Sequence, residues 1–448
     1  MGTDPVGRLL VKFSLPAMVA MLVNATYNIV DTAFVGRLGY RAIAGLTVVW
    51  PLQMVMMALS LGVGIGANSL ISRRLGAGDH QEANHAGSQA LLLGVISGFV
   101  VMLVVLAWTD PLLSLIGAGP DVLPYSRAYI RTIMWFAPFL FLPMIANNLI
   151  RAEGNPMFSM VIMIASAVVN MVLDPLFIFG IGPFPALGVR GAAAATVIAR
   201  AVAVILYGVY FLSRRSGYQF HLRQFIPVPR IWGLIYAVGA PSMAISFAGS
   251  AVTAISNNVV AGFGSMALAA YGVMFRLFAF AFMPCMGVNQ GALPLIGYNF
   301  GAGRLARVRE VVIKAALSAT GITALFSILF LAVPNLLVSL FNQEPAFVAM
   351  AARGLRIASI AFAGVGAAVV ATAFFQGIGR ALPAMFLSLT RQLIFYLPAM
   401  LILSRLHGLD GFWTAIPVSD GLSVAAAVIW TSVMFRKLGV SLFRARPA

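Results

Sequence analysis

The chain has 448 residues, of which 61% are hydrophobic and only 9% charged, at a mean hydropathy of +0.97, whereas a soluble domain carries roughly a quarter charged residues. That excludes water as the main solvent. The net charge of +17 does not point to nucleic acid, because the basic residues are spread among short loops with no RNA- or DNA-binding module; lipid headgroups are the expected partner.

Long apolar runs with Gly and Pro inside them predict helices, since barrel strands would alternate polar and apolar residues. A crossing takes roughly 20 residues, and the pattern predicts about twelve transmembrane helices, an all-α integral membrane protein. The spans are expected at 13–36, 44–71, 86–108, 127–149, 157–181, 191–212, 234–261, 267–297, 311–333, 353–376, 382–404 and 413–435. Only Arg8 and Lys12 precede the first span, with no cleavage site behind a short apolar core, so that span is expected to stay attached. On alternate sides of this map, Lys and Arg number 18 on the side of the N-terminus and 8 on the other, with Arg200, Arg276 and Arg391 inside spans. The positive-inside rule then predicts both termini cytoplasmic.

In the first span, Asn24, Tyr27, Asn28 and Asp31 stand at i, i+3, i+4 and i+7, one helical face that cannot look at lipid. Pro16 removes a backbone hydrogen bond in the same span and offers a bending point. In the second span Gly62-Val-Gly-Ile-Gly66 has no preceding strand and reads as helix packing rather than a nucleotide loop. Asn170 and Asp174 are i and i+4 in the fifth span, and Thr196 and Arg200 repeat that spacing in the sixth. Three helices are thus expected to bring polar groups into one pocket.

An acid near the bilayer centre costs roughly 2.5–3.5 kcal/mol, so Asp31 and Asp174 require a neutralising partner. A proton serves by protonating a carboxylate, and a sodium ion serves given several oxygen ligands, which Asn170 and Thr196 supply. The alternative for Asp31 is a structural acid paired with Arg200; for Asp174, followed by Pro175, it is a position near the outer end of its span. Asn170 and Thr196 serve equally well as polar glue between helices. Asp420 is expected to cap the last helix near the surface rather than to pair with Arg391 in the interior. Cys285 stands alone and the four histidines fall in predicted loops, which leaves no disulfide framework and no ligand set for a catalytic metal. No Gly-x-x-x-x-Gly-Lys-Ser/Thr loop occurs, so an ion gradient rather than ATP is the expected energy source and no cofactor is expected.

Shifting the first half by 225 positions places Pro16 on Pro241, Gly39 on Gly264, Gly62 on Gly287, Gly76-Ala77-Gly78 on Gly301-Ala302-Gly303 and Gly154 on Gly379. Later the register slips, and Gly188-Val189-Arg190-Gly191 resembles Gly408-Leu409-Asp410-Gly411. The chain reads as a duplicated six-helix lobe: 1–212, a basic cytoplasmic linker over 213–233, and 234–448, related by an axis along the membrane normal. The copies differ chemically, since Ser256 stands opposite Asp31 and Ala399 opposite Asp174. Duplicated halves with intramembrane acids favour alternating access; a scaffold without a transport role is the alternative.

Asn24-Ala-Thr-Tyr-Asn-Ile-Val-Asp31-Thr-Ala-Phe-Val-Gly36, Leu75-Gly-Ala-Gly78, Arg151-Ala-Glu-Gly-Asn-Pro156, Asn170-Met-Val-Leu-Asp-Pro175 and Pro294-Leu-Ile-Gly-Tyr-Asn-Phe-Gly301 together resemble the multidrug and toxic compound extrusion (MATE) family, in pattern its bacterial DinF-like branch. The resemblance covers essentially the whole chain. It implies two lobes around a V-shaped cleft, a bacterial inner (cytoplasmic) membrane location, and an antiporter that exchanges small amphipathic, often cationic compounds for Na⁺ or H⁺. It also implies a coupling-cation site at Asp31, Asn170, Asp174 and Thr196, with Pro16 matching the family's kink proline. Asn24, Tyr27, Asn28 and Arg200 are the further candidates for the cleft or its gating.

Two other functions fit these residues less well. A flippase for a lipid-linked saccharide needs a strongly cationic cleft, which Asp31 and Asp174 oppose. An intramembrane aspartyl protease would also use two acids sharing a proton, but the chain lacks a Gly-x-Gly-Asp element. A closed two-lobe carrier needs no partner chain, so a monomer is expected.

Overall fold

The computed structural model describes residues 1–117, 119–213 and 215–441, with the side chains of residues 29, 40 and 43 left aside. Arg214, Arg444 and Arg446, counted above in the charge bias, lie outside the described residues. The described chain is helical: α1 (Val6–Gly36), α2 (Tyr40–Gly76), α3 (His80–Ala107), α4 (Thr109–Leu115), α5 (Leu123–Met134), α6 (Ala137–Glu153), α7 (Pro156–Phe179) and α8 (Val189–Leu212) form its first half. After a 3₁₀ turn at Leu222–Phe225 come α9 (Pro229–Ala261), α10 (Ser265–Gly301), α11 (Leu305–Ala332), α12 (Pro334–Ser339), α13 (Pro345–Ser359), α14 (Phe362–Gly377), α15 (Ala381–Leu389), a π-helical segment Thr390–Tyr396, and α16 (Leu397–Lys437).

Among the described residues nine helical runs are long and apolar enough to cross a bilayer, and counting the pairs α5–α6 and α13–α14 as one span each brings the number to eleven. Those pairs bend by 60° and 52°. The last run, residues 381–437, has 57 residues. As one helix it would be about 85 Å long, against a hydrocarbon core of about 30 Å. It breaks at Gly408, whose φ of 60° and ψ of −138° no helix contains. Two crossings in that run account for the twelve spans read from the sequence. The duplication is geometric as well: α2 and α10, and α3 and α11, each begin and end 225 residues apart.

The chain forms two compact units. One, the N unit, is Val19–Met243; the other, the C unit, is Met1–Met18 with the chain from Ala244 onward. The division falls inside α1 and α9, just past Pro16 and Pro241, rather than in the loop at 213–233. Glycines explain why these helix segments fit where they do. In the N unit the backbone of α9 lies so close to α2 that a Cβ on Gly62 would meet Gly239 O at 2.9 Å, and one on Gly66 would strike the Ile235 carbonyl. In the C unit, 225 residues on, a Cβ on Gly287 would meet Met18 N at 2.9 Å and one on Gly291 would meet Ser14 N at 2.8 Å. The Gly-Val-Gly-Ile-Gly run is therefore a packing surface, as its sequence context indicated.

The linker is strapped onto the N unit. Gln89 of α3 donates from Nε2 to Gln224 O (2.5 Å) and Ile226 O (2.7 Å) and accepts at Oε1 from Val228 N (3.0 Å) and Trp232 Nε1 (2.7 Å). Tyr218 donates to Leu149 O at 2.8 Å. Gln89 is fully buried with its donor and acceptor sides both engaged, so it fixes the linker instead of costing stability.

Candidate functional site

Within the N unit, the polar face of α1 meets α7 and α8. Asp31 is 9% exposed, Asn170 2% and Asp174 0%. Asp174 is thus fully buried, five residues before the end of α7. The i, i+4 spacing on α7 lets Asn170 Nδ2 donate to Asp174 Oδ1 at 3.3 Å, and the same amide lies 3.5 Å from Thr196 Oγ1 on α8. The carboxyl groups of Asp31 and Asp174 lie within interaction range of each other. Two carboxyls in such contact hold a proton between them or share a cation; two bare anions at that separation would repel in a medium that screens poorly.

Asp31 Oδ1, Asp174 Oδ2 and Asn170 Oδ1 are buried and have no hydrogen-bond partner among the described residues. Buried acceptors left unsatisfied cost about 1–3 kcal/mol each. Three of them at one place form a donor set of hard oxygens, the chemistry that suits Na⁺ or a proton rather than a soft metal. Among the described residues no group of three or more His, Cys, Asp or Glu could hold a metal ion, so any ion here depends on the neutral oxygens of Asn170 and Thr196 as well as the acids.

Asn24 and Asn28 close the site along α1: Asn28 Nδ2 donates to Asn24 O at 2.7 Å and to its Oδ1 at 3.1 Å. Beside them lies a cavity of about 30 Å³, lined by Asn24, Tyr27, Ser166, Asn170, Thr196 and Arg200, space for about two water-sized bodies. Arg200 does not pair with Asp31. Its Nη2 donates to the Tyr27 hydroxyl at 3.2 Å, and the guanidinium carbon lies 6.0 Å from the Tyr27 ring centroid, a cation–π contact. Asp31 therefore lacks the partner that would make it a structural acid. Pro16 belongs to the C unit.

Sequence reasoning missed Ser166, Tyr129 and Gln53. Ser166 lines the cavity and donates to Ala199 O at 2.9 Å, joining α7 to α8. Tyr129 of α5 is 4% exposed, accepts from Gln53 Nε2 at 3.4 Å and lies within electrostatic reach of both acids. Ser166 precedes Asn170 by four residues, a signal available in the sequence; Tyr129 and Gln53 carried none.

The expectation for Asp420 is overturned. It is 2% exposed and pairs with Arg391, whose Nε and Nη2 lie 2.9 and 2.8 Å from Asp420 Oδ1. The helix that carries it begins after the break at Gly408, so Asp420 lies three turns in and cannot act as a cap.

Two duplicated helical units with a buried carboxyl pair in one of them define a membrane carrier of the internally repeated kind. The MatE family model matches residues 16–176 and 241–401, two segments related by the same 225-residue shift, and the chain belongs to that family. It is a multi-pass membrane transporter and not an enzyme. The multidrug export protein MepA of Staphylococcus aureus (strain N315) is 30% identical over 443 residues, 98% of this chain and 96% of MepA. A solved outward-facing multidrug resistance MATE family transporter of the MOP superfamily matches with a TM-score of 0.91 at 25% identity over 97% of each chain. A mutant of the Vibrio cholerae MATE transporter VcmN matches in fold with a TM-score of 0.91 at 24% identity, over 96% of this chain and 97% of that one.

Proposed function

We propose that this protein exports small amphipathic, cationic compounds across a bacterial inner membrane by secondary antiport, and that the returning Na⁺ or H⁺ binds in the N unit at Asp31, Asn170, Asp174 and Thr196. The observation that carries the reading is the Asp31–Asp174 contact, with three unpartnered buried oxygens around it. A sodium ion gains several of them as ligands at once and a proton bridges a pair of them, whereas a structural role would leave all of them costly. The multidrug export named for MepA supports an exporter of drugs.

Coupling needs the ion and the drug to prefer different states of the carrier, because a ligand shifts an equilibrium only by its differential affinity. Ion binding at the acid pair then favours the state that releases drug, and each charge entering down 100 mV contributes about 2.3 kcal/mol to the cycle. Asn24, Tyr27, Asn28 and Arg200 line or adjoin the small cavity beside the ion and are placed to sense whether it is filled. Pro16 supplies the bending point in α1. The excess of Lys and Arg on one side favours cytoplasmic termini with lipid headgroups as their partners, and the carrier works as a monomer. A flippase for a lipid-linked saccharide is disfavoured: Asp31 and Asp174 oppose a pyrophosphate, and Asp420 offsets the charge of Arg391.

The test is efflux of a cationic dye from proteoliposomes under imposed Na⁺ or H⁺ gradients, comparing the wild type with Asp31→Asn. Gradient-driven efflux that disappears in the variant identifies both the activity and its ion. Efflux that Asp31→Asn leaves untouched would overturn the site.

A further inference from the structure

The C unit contains a cavity of about 370 Å³, within the range of small-molecule sites and far larger than the cavity of about 30 Å³ in the N unit. It is the repeat counterpart of that small cavity. Gly249, Val252 and Ser256 of α9 stand 225 residues after Asn24, Tyr27 and Asp31, and Arg391 stands 225 after Ser166. The final helix follows the slipped register fixed by Gly188 and Gly408, which share the same unusual backbone (φ 56° and 60°), so Asp420 occupies the place of Arg200. Where Asn24 and Tyr27 fill the N unit, a glycine and a valine leave room, and the coupling acids are absent: Ser256 and Ala399 stand in their places. Duplication has produced one pocket for an ion and, in the copy, one with space for a molecule.

The walls are aromatic, with Tyr271, Phe278, Phe282, Phe362 and Tyr396 around the cavity. Its polar end lies on the π-helical segment Thr390–Tyr396, a conformation found mostly at functional sites. There Arg391 spends two of its donor nitrogens on one oxygen of Asp420 and keeps the rest for the cavity, its side chain 35% exposed. The neighbouring Gln392 has its Oε1 buried with no hydrogen-bond partner. Ser256 Oγ lies 2.8 Å from Val252 O and 3.2 Å from the Tyr396 hydroxyl; with one proton it donates to the carbonyl and accepts from the tyrosine. Arg391 and Asp420 cancel each other's charge, so the cavity offers no net attraction to a cation, and the free face of the guanidinium repels one.

We propose that the C-unit cavity is a second ligand site, which takes uncharged planar aromatic compounds carrying a hydrogen-bond acceptor beside a donor, the acceptor facing the Arg391 guanidinium and the donor met by Gln392 Oε1 once that side chain turns into the cavity it lines. As a substrate site it rests on the export reading and widens the cargo beyond cations; as a binding site it stands without it. Stacking on the aromatic walls supplies affinity, and the two polar contacts select lactams and similar amides.

The experiment is equilibrium binding of the fluorescent lactam 7-amino-4-methyl-2-quinolinone to the full chain in lipid nanodiscs, with no gradient imposed, so that a failure of coupled export leaves the measurement unaffected. Ala279→Phe places a ring at the cavity wall while leaving its polar residues unchanged in sequence, and should weaken lactam binding by about tenfold or more. Gln392→Met removes the unpartnered acceptor and should weaken it by about 3- to 10-fold. Thermal unfolding establishes that both variants are folded. Wild-type lactam affinity in both folded variants overturns the proposal, as does the absence of lactam binding in the wild type, or a wild type that prefers N-methylquinolinium, a cation of the same ring size.

Discussion

Asp174→Asn should make the protein more stable and less able to transport. The carboxyl of Asp174 has no exposure, lies within interaction range of Asp31 and accepts from Asn170. An asparagine of the same shape donates from its amide to Asp31 and still accepts from Asn170, while it removes one of two ionisable groups that cost roughly 2.5–3.5 kcal/mol each when charged near the bilayer centre. Only part of that cost is recovered, on the order of 1–2 kcal/mol, because the contacting pair already shares its charge with a proton or a cation. For the coupling ion the change works the other way, because a charge-assisted ligand worth about 1.5–3 kcal/mol is lost, a drop of roughly 10- to 150-fold in ion affinity. The assay pairs thermal unfolding in detergent with gradient-driven dye efflux in proteoliposomes. A variant that is less stable than the wild type, or one that keeps full gradient-driven efflux, would refute the reasoning and make Asp174 a structural acid.

Other consequences follow from the packing and the second unit. Gly66→Leu and Gly291→Leu, one in each unit, should each destabilise by about 1–3 kcal/mol or more, since the new side chain meets backbone rather than a yielding side chain; calorimetry that finds either neutral would contradict the close approach. Arg391→Met leaves Asp420 buried and unpaired and should cost about 3 kcal/mol, while adding Asp420→Asn should restore most of it; a double-mutant cycle with no coupling would show the pair to be incidental. Gln89→Leu removes four hydrogen bonds that hold the linker and should expose Arg223 to trypsin in the folded carrier, an increase in cleavage rate that limited proteolysis reads directly.

Hydrophobic run length located the crossings because the bilayer demands it, and the helices extend the expected spans by a few residues at their ends. The bends between Met134 and Ala137 and between Ser359 and Phe362 were invisible, since an apolar run looks the same whether its backbone is straight or turned by 60° or 52°. On α1 and α7 the regular spacing of Asn24, Asp31, Asn170 and Asp174 made the polar pocket legible, because each helix displays its own face. Tyr129 lies on the buried face of α5 among apolar residues and Gln53 stands alone in an apolar stretch of α2, so nothing local tied either to the acids. Asp420 was misread because the start of its helix was set near 413, whereas the break at Gly408 places the acid deeper. The C-unit cavity arises from what Gly249 and Val252 lack, and a missing side chain gives no signal until the repeat is laid over a structure.

The coupling claim is tested most directly by following the ion and the drug together. In proteoliposomes loaded with radiolabelled sodium, or with a trapped pH dye, addition of a cationic substrate should drive a counterflow of one of the two ions, and Asp31→Asn should abolish that counterflow. Substrate that crosses at the wild-type rate with no movement of either ion would contradict antiport through the Asp31–Asp174 site.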